Sequence, residues 1–315
     1  MAFLAMVALC LAAALPAAAQ VPQAMALFAE GHYDEATRIL APLHDDPQAL
    51  YGLARIALME NRHEAAANLL QRALEKDDGS ALYHYWLGVA WGEIAETANP
   101  FRQPLLALRV RNEFQRAVRL DPNFLPARFA VIEYYLLAPS FLGGGEPLAL
   151  REAQELMSRD RFQGHRAFAR IYTHQKKLAA AERELADAVR EQPRSAAAHD
   201  ELGSFLGMQA KNATAGFAEL ESATTLDPGY MPSWFHIGEL AAATHTNLSR
   251  GESALAKYLG HIPGDEEPDL ADAHYLLGRI YEEEGRRDAA RDSYSTAVRM
   301  DPTTRSFAAA LNRLR

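Results

Sequence analysis

The sequence predicts an all-α protein, a solenoid of stacked helix–turn–helix units. Three observations predict it. The tripeptides Leu120-Asp121-Pro122, Leu226-Asp227-Pro228 and Met300-Asp301-Pro302 each close a stretch patterned as a helix pair. The segment from Asp272 to Pro302 shows one unit in full. His274, Leu277, Gly278 and Tyr281 share one face of a first helix, and Gly285 breaks it. Ala290, Tyr294 and Ala297 recur at i, i+4 and i+7 on a second helix, which Pro302 ends. Finally, the helix formers Ala, Leu, Arg and Glu dominate, and 49% hydrophobic residues suffice for a continuous core. A chain that repeats in this way works by presenting a surface rather than by housing chemistry.

The units follow in order. Gly31, Tyr33, Ala36 and Leu40 mark the first, which ends at Pro47. Leu50, Leu53, Ala54, Ala66, Leu70 and Ala73 mark the second; Leu87, Gly88, Trp91, Phe114, Ala117 and Pro122 mark the third. Val131, Tyr135, Ala149 and Ala153 give a distorted fourth, and Ala169, Tyr172, Ala181, Leu185, Ala188 and Pro193 a fifth. Leu202, Gly203, Leu206, Ala223 and Pro228 give the sixth. Trp234, Ile237 and Gly238 open a seventh whose second helix, near Ala254 and Tyr258, matches poorly. The Asp272–Pro302 unit is the eighth. This pattern resembles the tetratricopeptide repeat, a unit of about 34 residues. The resemblance implies a right-handed α-solenoid of about eight tetratricopeptide repeats over residues 20–303, with a capping helix at 304–315. In that helix Phe307, Leu311 and Leu314 form the apolar stripe that covers the last open face. The repeat spacing slips near 157–164, where any subdivision of the array falls.

Residues 1–19 have the pattern of a secretory signal peptide. Ala2 to Leu15 is apolar and too short to span a bilayer, and Pro16-Ala17-Ala18-Ala19 supplies a small-residue cleavage site that leaves Gln20. No Lys or Arg precedes the apolar run. Cys10, the one cysteine, lies inside that segment, so the expected mature chain holds no disulfide and no thiolate site. The expectation is an exported protein of a bacterial periplasm, with no membrane span in the mature chain. The balance of 32 Lys+Arg against 41 Asp+Glu, a net charge of −9, argues against nucleic acid and anionic membrane.

Two units carry insertions between their helices. Glu96 to Gln103 lengthens the third, and Pro139 to Gly145 adds an apolar loop with three glycines to the fourth. Insertions at equivalent points emerge on one edge, so Phe101, Phe141 and Leu142 form a lip or tuck back over the helix ends. Tyr134 to Pro139 followed by Gly143-Gly144-Gly145 also resembles a subgroup of exported bacterial repeat proteins. Glu146 and Pro147 after those glycines argue for a flexible turn over an anion cradle.

In the family, first helices line a concave groove that takes peptides. Indexed from the Leu-Gly pair, the side chains there are Tyr51, Tyr85, Phe129, Arg166, Asp200, Phe235 and Tyr275 in one row. One turn on stand Arg55, Val89, Glu133, Arg170, Ser204, Glu239 and Arg279. Aromatic rings flanked by charges of both signs suit an extended peptide or a partner helix. Each ring also has the alternative of packing between helices. Arg166, Arg170 and His174 form the most basic stretch, facing Asp200.

Eleven histidines are scattered without metal-ligand spacing, and no His-Glu-x-x-His or Gly-x-Ser-x-Gly motif occurs. The expectation is therefore a non-catalytic scaffold or adaptor without cofactor or metal, binding protein or peptide. Self-association through the lip is the alternative, and a small-ligand binder or enzyme stands last.

Overall fold

The computed structural model describes residues 17–264 and 267–314. The apolar run Ala2–Leu15 and Cys10 lie outside them. Eight helix pairs follow in chain order. They are α1 (Ala17–Ala29) with α2 (Tyr33–Leu40), α3 (Pro47–Met59) with α4 (His63–Lys76), and α5 (Ala81–Thr97) with α6 (Gln103–Leu120). Next come α7 (Leu125–Leu137) with α8 (Glu146–Arg159), α9 (Arg161–His174) with α10 (Leu178–Glu191), and α11 (Ala196–Met208) with α12 (Ala213–Leu226). The last are α13 (Met231–Thr244) with α14 (Leu248–Tyr258) and α15 (Leu270–Glu283) with α16 (Arg287–Met300). The single helix α17 (Arg305–Arg313) covers the end, burying Phe307 and Leu314.

The Asp-Pro signature has a local cause. Asp121, Asp227 and Asp301 each accept the N–H two residues on, from Asn123, Gly229 and Thr303, at 2.8–2.9 Å. The carboxylate caps the turn while the proline bars another helical turn. The next helices start on side-chain caps where they can: Asp46, Ser80, Ser195 and Asn212 each accept first-turn N–H groups.

The Leu-Gly signature marks where the two helices of a unit touch. A Cβ on Gly88 would lie 2.5 Å from Phe114, one on Gly238 2.3 Å from Leu255, and one on Gly278 2.6 Å from Tyr294. Each large side chain of a second helix thus occupies the space that glycine leaves on the first. Tyr294 is fully buried there.

A second register, four residues before the Leu-Gly glycine or its equivalent, ties the first helices α5, α7, α9, α11 and α13 to their surroundings. His84 places Nε2 3.2 Å from the Asp78 carbonyl and Nδ1 2.6 Å from Glu113 on α6. His199 does the same with the Pro193 carbonyl and Glu219 on α12, at 3.2 and 2.6 Å. Arg128 donates to the Pro122 carbonyl and to Glu152 on α8. Trp234 donates Nε1 to the Pro228 carbonyl at 3.1 Å, with Lys257 of α14 over its ring. His165 reaches Glu184 on α10 at 2.8 Å. His84, His165 and His199 are therefore clasps between the paired helices.

Several elements differ from the sequence pattern. The first unit owns a full first helix, α1, which spans the expected cleavage point after Ala19. Val21 and Ala24 on it are buried. The poorly matched second helix of unit seven is α14, only 11 residues long, yet Ala254, Leu255 and Tyr258 on it are fully buried. At the expected slip, α8 and α9 meet at Asp160 alone, and a Cβ on Gly164 would lie 2.3 Å from the Met157 Cα.

The array also curls until its ends touch. The Tyr33 hydroxyl donates to the Met300 carbonyl, and Gly31, at φ +76°, packs against the Met300 side chain.

The glycine register predicts a stability cost. Gly278→Ala is expected to lower stability by about 1–3 kcal/mol through overpacking on Tyr294, read as a lower urea midpoint with unchanged slope.

Candidate binding groove

First helices of units three to six bound a cavity of about 770 Å³. Its apolar lining comes from Leu125, Phe129 and Ala130 on α7, Ala169 on α9, and Phe205 and Met208 on α11, with Tyr85 at one edge. Glu133, Arg166, Arg170 and Glu201 bring charge to the same wall. These charges are matched. Arg170 Nε lies 3.0 Å from Glu133 one unit back, and Arg166 Nε lies 2.5 Å from Glu201 one unit forward. The Arg166 guanidinium also sits 5.0 Å over the Phe129 ring. Arg166 does not face Asp200, as the indexing suggested. Asp200 is buried and pairs with His236 Nδ1 at 2.9 Å on the following first helix.

The structure thus brings Tyr85, Phe129, Glu133, Arg166, Arg170 and Ser204 to one cavity, and the other indexed residues do not line it. Tyr51 is buried against Tyr83, and its hydroxyl accepts from Arg55 Nη1 at 2.7 Å. The Arg55 guanidinium lies 3.7 Å from the Trp86 ring centroid. Phe235 is a core ring, packed edge-on against Tyr258. Tyr275 stacks on Phe307 of the capping helix at 4.8 Å between centroids, so the cap takes that ring. Arg279 donates to the Ala242 carbonyl at 3.0 Å. Glu239 raises the charge density beside His236.

Phe205, Met208, Leu125 and Glu201 line the cavity without having been indexed. Their signal was present: Glu201, Phe205 and Met208 follow one another at helical spacing, on the face that also carries Ser204. At the lip, Phe101 is 95% and Phe141 78% exposed, so both rings face solvent rather than tucking back. Leu142 is half-buried, and its carbonyl accepts from Arg111 and the Tyr134 hydroxyl.

His236 carries the clearest electrostatic signature. Burial opposes its charge, but the Asp200 carboxylate, its hydrogen bond, and Glu239 and Glu201 outweigh that and hold its pKa up at about 9. Among the described residues, no group of three or more potential metal ligands converges, and no helix is long and apolar enough to cross a membrane.

Stacked helix pairs with a groove along the first helices define an α-solenoid of the peptide-repeat class. Residues 27–87 and 271–304 each match a tetratricopeptide repeat family model, and the chain is a tetratricopeptide repeat protein. No curated protein matches it by sequence. Among solved structures it is similar to YrrB, a tetratricopeptide repeat protein with an unusual peptide-binding site, at 16% identity and a TM-score of 0.40 over 78% of this chain and 99% of that one. It is also similar to a tetratricopeptide repeat protein from Parabacteroides merdae, at 14% identity and 0.46 over 84% and 98%. A human IFIT1 dimer with PPP-AAAA is similar at 17% identity and 0.49 over 89% and 69%. Nothing about ligands carries over from likenesses this distant.

The raised pKa of His236 sets a pH window. The unfolded imidazole titrates near 6.5, so the pair's contribution is fully present below that and lost as pH rises through about 9. Asp200→Asn is expected to flatten the fall in the urea midpoint between pH 6.5 and pH 10.

Proposed function

We propose that this protein is a non-catalytic scaffold or adaptor of a bacterial cell envelope that holds a partner's extended segment in the groove of units three to six. The observation that carries this reading is the cavity of about 770 Å³, lined by Leu125, Phe129, Phe205 and Met208 between ion pairs. A groove of this kind offers aromatic and aliphatic contact area while Glu133, Arg166, Arg170 and Glu201 on its wall are already paired. Lys176 at its margin adds positive charge suited to an acidic flank of the partner. The family's general use of such grooves for protein partners points the same way.

Export follows from the signal-like residues 1–19. Cleavage after Ala19 would shorten α1 by its first residues and leave the buried Val21 and Ala24 in place. The chain recovered from bacterial periplasm is expected to begin at Gln20, read by mass spectrometry. A chain retaining residues 1–19 in the cytoplasm would overturn export.

The binding claim is tested by photo-crosslinking in living cells from Phe129, from Phe141 and from Arg183, which is exposed on α10. A discrete partner is expected from Phe129 and not from Arg183, and Phe129→Ala should then weaken that partner about tenfold or more. Capture from Phe141 of a second copy, with nothing from Phe129, would instead favour the reading that the exposed Phe101 and Phe141 rings drive self-association.

A further inference from the structure

The outer side of α6 carries charge of one sign. Arg102, at its N-cap, and Leu105, Arg109, Asn112, Arg116 and Arg119 are all exposed. Their spacing alternates between three and four, so they form one stripe along the helix. The stripe holds four arginines and no carboxylate. Among the described residues none of the four is in an ion pair, and Arg109 lies 4.7 Å over the Trp91 ring. The one acid of α6, Glu113, is taken by His84. The second helices on either side mix signs instead: Glu64, Arg72, Glu75 and Lys76 are exposed on α4, and Glu146, Arg151, Glu155 and Arg159 on α8. The net charge of −9 therefore conceals a local excess of positive charge.

The same hairpin is about one turn longer than its neighbour, with 17 and 18 residues in α5 and α6 against 13 and 14 in α3 and α4. Phe101 stands at its tip. Beside it, Arg111 donates to the Leu142 carbonyl at 3.0 Å and fixes the short 3-10 turn at 140–142, with its exposed Phe141, against α6. Four of the six exposed large apolar side chains among the described residues, Phe101, Leu105, Leu137 and Phe141, come from units three and four, so they are a cluster rather than a scatter.

Unpaired arginines beside free apolar side chains suit an occupant that is anionic over its face and apolar beneath it. A bilayer of anionic lipid is both. A second copy set two-fold on this edge would bring like arginines together. A nucleic-acid strand is tracked by a cationic groove, whereas this stripe lies on the outer side of a second helix. We propose that the outer side of α6, with the lip at its N-terminal end, docks the protein on an anionic phospholipid surface. Phe101, Leu105 and Phe141 enter the headgroup layer, and Arg102, Arg109, Arg116 and Arg119 meet the phosphates. The stripe is about 25 Å long, so α6 lies along the surface rather than end-on. Docking uses a second helix and leaves free the first helices that line the groove, and it does not depend on what the groove holds.

The docking is tested by floating the full chain with vesicles of phosphatidylglycerol in phosphatidylcholine, and with vesicles of phosphatidylcholine alone, at low and high salt. Binding is expected to favour phosphatidylglycerol and to weaken at high salt. Arg102→Gln with Arg116→Gln removes two guanidinium groups that hold no partner among the described residues, and should lower the partition coefficient about tenfold or more. Phe101→Ser with Phe141→Ser should lower it by a similar factor. Arg183→Gln with Arg194→Gln removes the same charge from exposed positions of unit five and should leave it within about twofold. The apolar run at residues 2–15 is common to every variant, so differences between variants read α6 and the lip alone. In a Cys10→Ser background, a polarity-sensitive dye on Phe101→Cys should shift to the blue on phosphatidylglycerol vesicles, and one on Arg183→Cys should not. Equal losses from the two arginine pairs, no preference for phosphatidylglycerol, or an unshifted dye at position 101 would overturn the proposal. Capture of a second copy from Phe141 in living cells would overturn it as well, whereas the outcome at Phe129 bears on the groove reading alone.

Discussion

The close approach of two helices at a glycine is the contact on which the rest of the architecture depends. Gly88, Gly238 and Gly278 have no room for a methyl group, because Phe114, Leu255 and Tyr294 already fill it. That fit sets the separation of the helices in a unit, and so the angle at which the next unit stacks. Small departures would accumulate along eight units, which is why one register recurs through a chain whose other positions vary freely. The clasp register does the same work in polar terms. Histidine, arginine and tryptophan all serve there, because each offers a donor to the carbonyl six residues back. What recurs is a hydrogen-bond geometry rather than a residue.

On the inner face, charge pairs run between units instead of within them. Glu133–Arg170, Arg166–Glu201 and Asp200–His236 link α7, α9, α11 and α13 in sequence. Partly exposed pairs contribute little each, but a chain of them resists changes in curvature. They also neutralise the wall they line. Between them the wall is apolar, at Leu125, Phe129, Phe205 and Met208.

The unit count, the capping helix and the turn chemistry were legible in the sequence, because glycine, alanine and proline at fixed intervals have direct steric meaning. The fate of individual rings was not. Tyr51, Phe129, Phe235 and Tyr275 occupy one index position, yet Phe235 is 6% exposed while Phe129 lines a cavity. The difference comes from what lies opposite: Tyr258 closes over Phe235, and the capping helix supplies Phe307 to Tyr275. Periodicity within a helix carries no information about those neighbours. Likewise α1 was hidden, since an alanine-rich start reads equally as the tail of a leader. The meeting of Tyr33 with Met300 had no sequence signal at all, because it depends on curvature summed over the whole array.

That last contact has a kinetic meaning. Every substantial helix–helix contact among the described residues joins elements no more than two apart in the chain, so the average contact is local and folding can spread outward from any unit. Tyr33 and Met300 are 267 residues apart. Bringing such distant points together in a flexible chain would cost roughly 5 kcal/mol of loop entropy, more than a single hydrogen bond returns. The stacked units must therefore form first and carry the two ends into register. Closure is the last event in folding, and it reports that every unit between has already found its place.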